Sequence, residues 1–269
     1  MKIGIDGRPL LKARTQAVRN YVYSLVSAMD TLPGTEMTVF FPSSPVDLFS
    51  CNKHTNCRIA GMQGLNWLTG GWGESALTGA AAAEKIHVYH GPDHHVPKKM
   101  HCPSVVTIHD LGFKKFPRLL AGGERRRLES GVCQAVERAT RIVTVSNATR
   151  MDLIDLYGVK TDKIHMVYPG FNRDIALGDP PVDEVRQKYQ IQKPYILFAG
   201  TIEPRKNLGI LIQAFARKFF VDDFQLVIAG SKGWACADVF DMVQKLRLQN
   251  KVIFTGPVES DDLKGLYRG

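Results

Sequence analysis

Residues 194–215 read PYILFAGTIEPRKNLGILIQAF. Tyr195–Ala199 is a short, continuous apolar run that Gly200 ends. From Leu208 onward the apolar residues return at three- and four-residue spacing. Strand, glycine turn and helix in that order open a β–α unit, and a strand without polar alternation is one covered by helices on both faces. Arg205 and Lys206 stand side by side where the helix begins. Adjacent cations repel unless something anionic lies beside them, and a helix start already attracts anions through its unpaired N–H groups and positive dipole end. The pair reads as a phosphate clamp, with Gly200 and Thr201 allowing the backbone to approach the phosphates closely.

The same alternation runs the length of the chain. Strand candidates are Ile3–Ile5, Val39–Phe41, Val88–Tyr89, Val105–Ile108, Ile142–Val145 and Met166–Tyr168, then Tyr195–Ala199, Gln225–Ala229 and Val252–Thr255. Helical periodicity follows in Val18–Met29, Glu124–Ala139, Leu208–Phe220 and Val239–Leu248. Asn147–Tyr157 adds a helix opened by the N-cap Ser146 and closed at Gly158. This predicts an α/β protein built on parallel sheets. A first domain covers residues 1–172 and a second covers 193–269. The loop-like, proline-containing stretch 173–192 joins them, with a short helix in VDEVRQKYQI.

Bulk properties set bounds. The chain has 269 residues, 44% of them hydrophobic, which suffices for ordinary cores. No apolar stretch nears the roughly 20 residues of a membrane span. MKIGIDGRPL reads as a first strand rather than a signal peptide, so a cytoplasmic location is expected. The five cysteines contain no CxxC pair, and His90, His94, His95, His101 and His109 show no HExxH spacing. Neither a disulfide framework nor a metal site is expected. A formal charge of +9 points to an anionic partner. Lys98, Lys99, Lys114, Lys115, Arg118 and Arg125–Arg127 concentrate it in Lys98–Arg127, which reads either as a solvated face or as a surface for acidic lipid. No RNA- or DNA-binding motif is present, so no nucleic-acid partner is expected.

An ordered series of segments resembles the family-four retaining glycosyltransferases: MKIGIDGRPL, VYHGPDHHVP, SVVTIHDLGFKKFP, IVTVSNATRMDLIDLYGV, KIHMVYPGF, YILFAGTIEPRKNLGILIQAF, QLVIAG, VIFTGPV and DLKGLYRG. The resemblance implies the GT-B fold, two Rossmann-like domains facing a cleft, with a nucleotide-diphosphate sugar held by the second. It places Arg205 and Lys206 on the donor diphosphate, without a metal. It places His109, in the HD pair after SVVTI, against the donor sugar. The wording is similar to bacterial mannosyltransferases of surface polysaccharides. That implies GDP-mannose or a UDP-sugar as donor and a glycan or lipid-linked acceptor at the inner membrane face, where Lys98–Arg127 would meet acidic lipid. The alternative is a non-catalytic glycan- or membrane-binding protein that keeps the fold.

The chain departs from the family pattern twice. Ala17 and Arg19 stand where a glycine-containing phosphate and acceptor loop is expected. Their side chains either block a close backbone approach, or Arg19 adds a cation. The family's EGFGxP stretch, with two glutamates eight positions apart for ribose and sugar, is not reached before GLYRG. The second domain is therefore expected to be incomplete, with an open sheet edge and uncovered faces.

Overall fold

The computed structural model describes residues 1–11, 16–42, 53–59, 74–117, 120, 122–170, 181–217 and 223–269. It forms two compact units, Met1–Phe171 and Asn172–Gly269. The first is built on seven strands: β1 (Lys2–Asp6), β2 (Glu36–Phe41), β3 (Thr55–Ile59), β4 (Val88–Gly91), β5 (Ser104–Ile108), β6 (Arg141–Thr144) and β7 (Ile164–Met166). All pair in parallel, in the order β3-β2-β1-β4-β5-β6-β7. The order reverses between β1 and β4. In doubly wound sheets ligands bind outside the carboxyl ends of the strands at that reversal.

The helices of this unit are α1 (Arg8–Leu11), α2 (Gln16–Met29), α3 (Glu74–Ala83), α4 (Gly112–Lys115), α5 (Gly122–Arg138) and α6 (Asn147–Tyr157). Ile5, Val22, Val26 and Val39 are fully buried in one cluster beside β1 and α2. Val106, Ile108, Val132, Ala135 and Ile142 form another between the β5–β6 region and α5. The apolar face read into Glu124–Ala139 is the one that packs. Ser146 accepts the Thr149 N–H at 3.1 Å and Gly158 closes α6 in the left-handed conformation (φ 62°). Without that cap the first turn of α6 would lose a partner.

The second unit holds α7 (Val182–Lys188), β8 (Tyr195–Ala199), α8 (Leu208–Phe215), β9 (Gln225–Ala229), α9 (Ala237–Lys245), β10 (Val252–Gly256) and α10 (Ser260–Arg268). Its parallel sheet runs β10-β9-β8. The expectation of uncovered faces is corrected. Ile212, Phe215, Leu226 and Val243 close one face, while Val185, Ile191, Val227 and Leu266 close the other. Every residue of β9 is buried as a result. Of the stretch 173–192, the structure describes residues 181–192. Val185 of α7 and Ile191 are core residues, and Tyr189 donates to Asp262 at 2.7 Å. The last strand of the first unit is Ile164–Met166 rather than Met166–Tyr168, and α8 ends at Phe215, with Phe220 outside the described residues.

Candidate functional site

The polar residues of the first unit collect at the carboxyl ends of β1, β4 and β5. Asp6 ends β1 and is 2% exposed. Arg8 Nε donates to both of its carboxylate oxygens at 3.0 Å, and Arg8 Nη2 makes a further ion pair with Oδ2. The Arg8 N–H donates to Oδ1 at 3.0 Å, the Tyr89 hydroxyl donates to Oδ2 at 3.4 Å, and His95 Nδ1 lies 3.6 Å from it. Burial alone would raise the Asp6 pKa, but Arg8 and His95 outweigh it and hold the carboxyl well below the usual carboxylate range. Asp6 is therefore a fixed anion pinning the turn that follows β1.

After β4 the chain turns sharply through HGPDHH. A Cβ at Gly91 would lie 1.8 Å from the His95 carbonyl oxygen, so only glycine admits the turn. His94 takes a positive φ of 53°. Its Nε2 accepts the His109 N–H at 3.4 Å.

His109 follows β5 and is held from four sides. Its Nε2 bonds the Pro92 carbonyl at 2.9 Å, its own carbonyl accepts from Thr149 Oγ1 at 2.9 Å, and Tyr21 meets its ring edge-on at 5.0 Å. The fourth hold is the His94 contact. A carbonyl only accepts, so Nε2 carries the proton and the neutral ring keeps Nδ1 as a hydrogen-bond acceptor. Burial lowers the His109 pKa, assisted by the neighbouring His94. Beneath it, His90 Nε2 bonds Thr107 Oγ1 at 2.8 Å, and burial brings the His90 pKa down to about 4.

Ala17 and Arg19 lie in the first turn of α2, on a helix rather than on a loop. Residues 12–15, immediately before them, are outside the described residues.

In the second unit, Gly200 and Gly230 end β8 and β9, at φ 151° and 155°. A Cβ on Gly230 would sit 2.0 Å from the Gly200 carbonyl oxygen. The loops 200–206 and 230–233 are tied together. The Ile202 N–H donates to Ser231 O at 2.9 Å, and the Gly233 N–H donates to Ile202 O at 3.0 Å. Arg205 and Lys206 occupy a 3-10 turn, Pro204–Lys206, and the left-handed Asn207 separates it from α8. The cations thus precede the helix rather than belonging to its first turn. Arg205 Nη2 pairs with Glu203 at 2.8 Å. Lys206 makes no ion pair among the described residues, and its stem lies beside Gly200. Lys232, on the adjoining loop, lies over the Phe240 ring at 4.8 Å. Gly200, Thr201, Arg205 and Lys206 therefore share one polar, cationic strand-end loop.

The basic segment is more balanced than its composition suggests. Lys114 pairs with Glu129, and Lys115 with Asp152 at 3.1 Å. Lys99, Arg126 and Arg127 are exposed, and Arg118 lies outside the described residues. Among the described residues no helix is long and apolar enough to cross a membrane, and no group of three His, Cys, Asp or Glu is placed to hold a metal.

Comparison with known proteins gives a consistent result. Residues 18–175 match the model described as Glycosyltransferase Family 4, and residues 181–269 match that described as Glycosyl transferases group 1. O-antigen chain mannosyltransferase B of Escherichia coli is 28% identical over 187 residues, covering 68% of this chain and 49% of its own length. A D-inositol 3-phosphate glycosyltransferase of Acidothermus cellulolyticus is 30% identical over 181 residues, covering 62% and 40%. The chain spans about half the length of the curated relatives it matches, or less. Among solved structures, Anabaena HepE in complex with UDP and glucose aligns with a TM-score of 0.67 at 16% identity, over 99% of this chain and 71% of its own. Sucrose-phosphate synthase from Thermosynechococcus elongatus aligns with a TM-score of 0.70 at 18% identity, over 99% and 73%. These likenesses show the GT-B fold.

Proposed function

The chain belongs to glycosyltransferase family 4, and from that premise we propose that it transfers a sugar, mannose foremost, from a nucleotide-diphosphate donor to a glycan or lipid-linked acceptor, with retention of configuration. The observation that carries this reading is the loop 200–206. Two cations there stand beside a backbone that glycine lets a ligand approach, at the carboxyl ends of β8 and β9. Breakage of the bond between sugar and diphosphate leaves negative charge on the diphosphate. Preorganised cations at that point lower the barrier more than they lower the ground state. The reading assigns this charge to Arg205 and Lys206 and calls on no metal ion.

Gly200 and Thr201 give the phosphates access to the backbone. His109, with Nδ1 as acceptor, takes a hydrogen bond from a donor-sugar hydroxyl. No carboxylate is assigned as covalent nucleophile, so the acceptor attacks the face the diphosphate leaves, within an ion pair. GDP-mannose and UDP-sugars are the donors named. The exposed cations of Lys98–Arg127 that make no ion pair among the described residues would rest on acidic lipid at the cytoplasmic face.

The test is transfer from GDP-α-mannose and from UDP-α-glucose to a mannosyl acceptor, with the product anomer read by proton NMR. An α-linked product is expected, and a β-linked product from either donor would overturn the assignment of retention.

A further inference from the structure

Thr149 lies in the first turn of α6 and is 4% exposed. It stands three residues after the N-cap Ser146, the position from which a glutamate or glutamine side chain commonly reaches back to the cap. A threonine hydroxyl on a helix can also bond a carbonyl of its own preceding turn. Thr149 directs its hydroxyl out of the helix instead. Its Oγ1 lies 2.9 Å from the carbonyl oxygen of His109, 40 positions away in the chain.

The proton positions along this contact follow from the chemistry of the groups. A carbonyl oxygen only accepts, so the Thr149 hydroxyl donates to His109. That proton is then committed, and the 3.0 Å contact between Ser146 Oγ and Thr149 Oγ1 takes its proton from Ser146. Ser146 Oγ in turn accepts the Thr149 N–H. The N-cap of α6 thus orients the hydroxyl that holds His109, and bonds linked in such a chain strengthen one another.

His109 depends on a hold of this kind. The β5–β6 ladder ends at the Ile108–Thr144 pair, so His109 is the first residue beyond the sheet. Its ring is confined by Tyr21, whose hydroxyl lies 3.3 Å from Thr107 Oγ1, and by the Pro92 carbonyl on Nε2. Those contacts come from α2 and the 92–94 turn. Thr149 joins the His109 main chain to a third element, α6. A buried hydroxyl engaged on both sides does not itself reach a ligand, so whatever it does for the reaction passes through His109.

We infer that Thr149 is a positioning residue: its bond to the His109 carbonyl fixes the direction in which the ring presents Nδ1 to a donor-sugar hydroxyl. The inference rests on the proposed role of His109 and adds the residue that aims it.

The experiment compares wild type with Thr149→Val, which keeps the shape and removes the hydroxyl, and with Thr149→Ser, which restores it. NMR of the full chain carrying isotope-labelled histidine follows the rings, and His109 is identified by its loss in His109→Gln. In wild type the His109 ring should be one tautomer, protonated on Nε2, with a ring proton that exchanges slowly with water. In Thr149→Val that exchange should speed about tenfold or more, and kcat for transfer from GDP-α-mannose should fall about tenfold, as for one lost aligned hydrogen bond. The donor KM and GDP binding should stay within about twofold, and Thr149→Ser should restore both the ring signals and kcat. Amide exchange in β5 and β6 reports whether each variant is folded. Ring signals and kcat in Thr149→Val equal to wild type overturn the inference, as does a Thr149→Ser variant that restores neither. Should Thr149→Val not fold, the wild-type ring still decides, because an Nδ1-protonated or rapidly averaging His109 contradicts the hold. A ring that moves as expected, in a protein whose His109→Gln variant transfers as well as wild type, would instead sink the donor-sugar role of His109 and leave the hold by Thr149 intact.

Discussion

Replacing Asp6 by Asn keeps the shape of the β1 turn and removes its charge. The Arg8 side chain, 23% exposed, would then face a neutral amide. Breaking a buried ion pair from one side costs about 3–5 kcal/mol, because the surviving charge stays desolvated. Water reaches part of the Arg8 guanidinium, which places the expected cost at the lower end, about 3 kcal/mol. Removing the orphan charge as well should recover most of that loss, so Asp6→Asn/Arg8→Met should cost only about 1 kcal/mol. The two units need not unfold together, so hydrogen exchange at the β1 and β4 amides in a urea series is the appropriate assay. The acid dependence has a definite sign. A carboxyl depressed when folded contributes stability above its unfolded pKa of 3.8 and loses it as pH falls through the lower folded value. Wild type should therefore keep its advantage over Asp6→Asn throughout pH 4–8. A single-variant cost under 1 kcal/mol, or a double variant that costs the sum of the two singles, would refute the buried-pair account.

His90 gives a dependence of the same sign at higher pH. Burial, with His109 second, sets its folded pKa at about 4, so the unfolded chain takes the proton first below about 6.5. The first unit should lose up to about 3 kcal/mol as pH falls from 6.5 toward 4, and His90→Gln should flatten that slope; a wild-type profile flat across this window would sink the assignment. Gly230→Ala places a Cβ 2.0 Å from the Gly200 oxygen at a φ of 155°. It should lower second-unit stability by at least about 2 kcal/mol and strip exchange protection from the Gly200 amide; protection equal to wild type would show that the two loops are not in close contact. Ser146→Ala should cost about 1 kcal/mol through the lost α6 cap, seen as faster exchange at Thr149; an unchanged rate there would deny the cap.

The parallel α/β plan was legible because nearly all the strands are doubly covered and so written as apolar runs. Strand β3 was not. TNCRI pairs on one side only, with β2, and Asn56, Cys57 and Arg58 are exposed, so its sequence carries no apolar signature. Helix α3 was also missed, since ESALTGAAAA buries only Leu77 and Ala81 and its small residues show little periodicity. The cationic pair at 205–206 could be read directly, because cation, glycine and helix start are neighbours in the chain. The cluster around Asp6 could not. Asp6 and His95 are 89 positions apart, and only the β1–β4 pairing brings them together. Polar residues ending two strands, in IDGRP and HGPDHH, were the available signal, but their meaning depends on knowing that the strands are adjacent. Gly200 read as a turn, whereas Gly230 was not singled out. Their role in letting two loops touch depends on register.

If Arg205 and Lys206 hold the diphosphate of a nucleotide donor, their removal must weaken nucleotide binding. Calorimetric titration of GDP and UDP into wild type, Arg205→Ala, Lys206→Ala and the double variant measures this. Each single substitution should cost about 1.5–3 kcal/mol of binding, roughly 10- to 150-fold in Kd, as expected for a lost charge-assisted hydrogen bond. Folding should scarcely change. Arg205 is 52% exposed and its pair with Glu203 is a surface one, a class worth about 0–1 kcal/mol. Nucleotide affinity in the double variant equal to that of wild type, with both units folded, would contradict the claim.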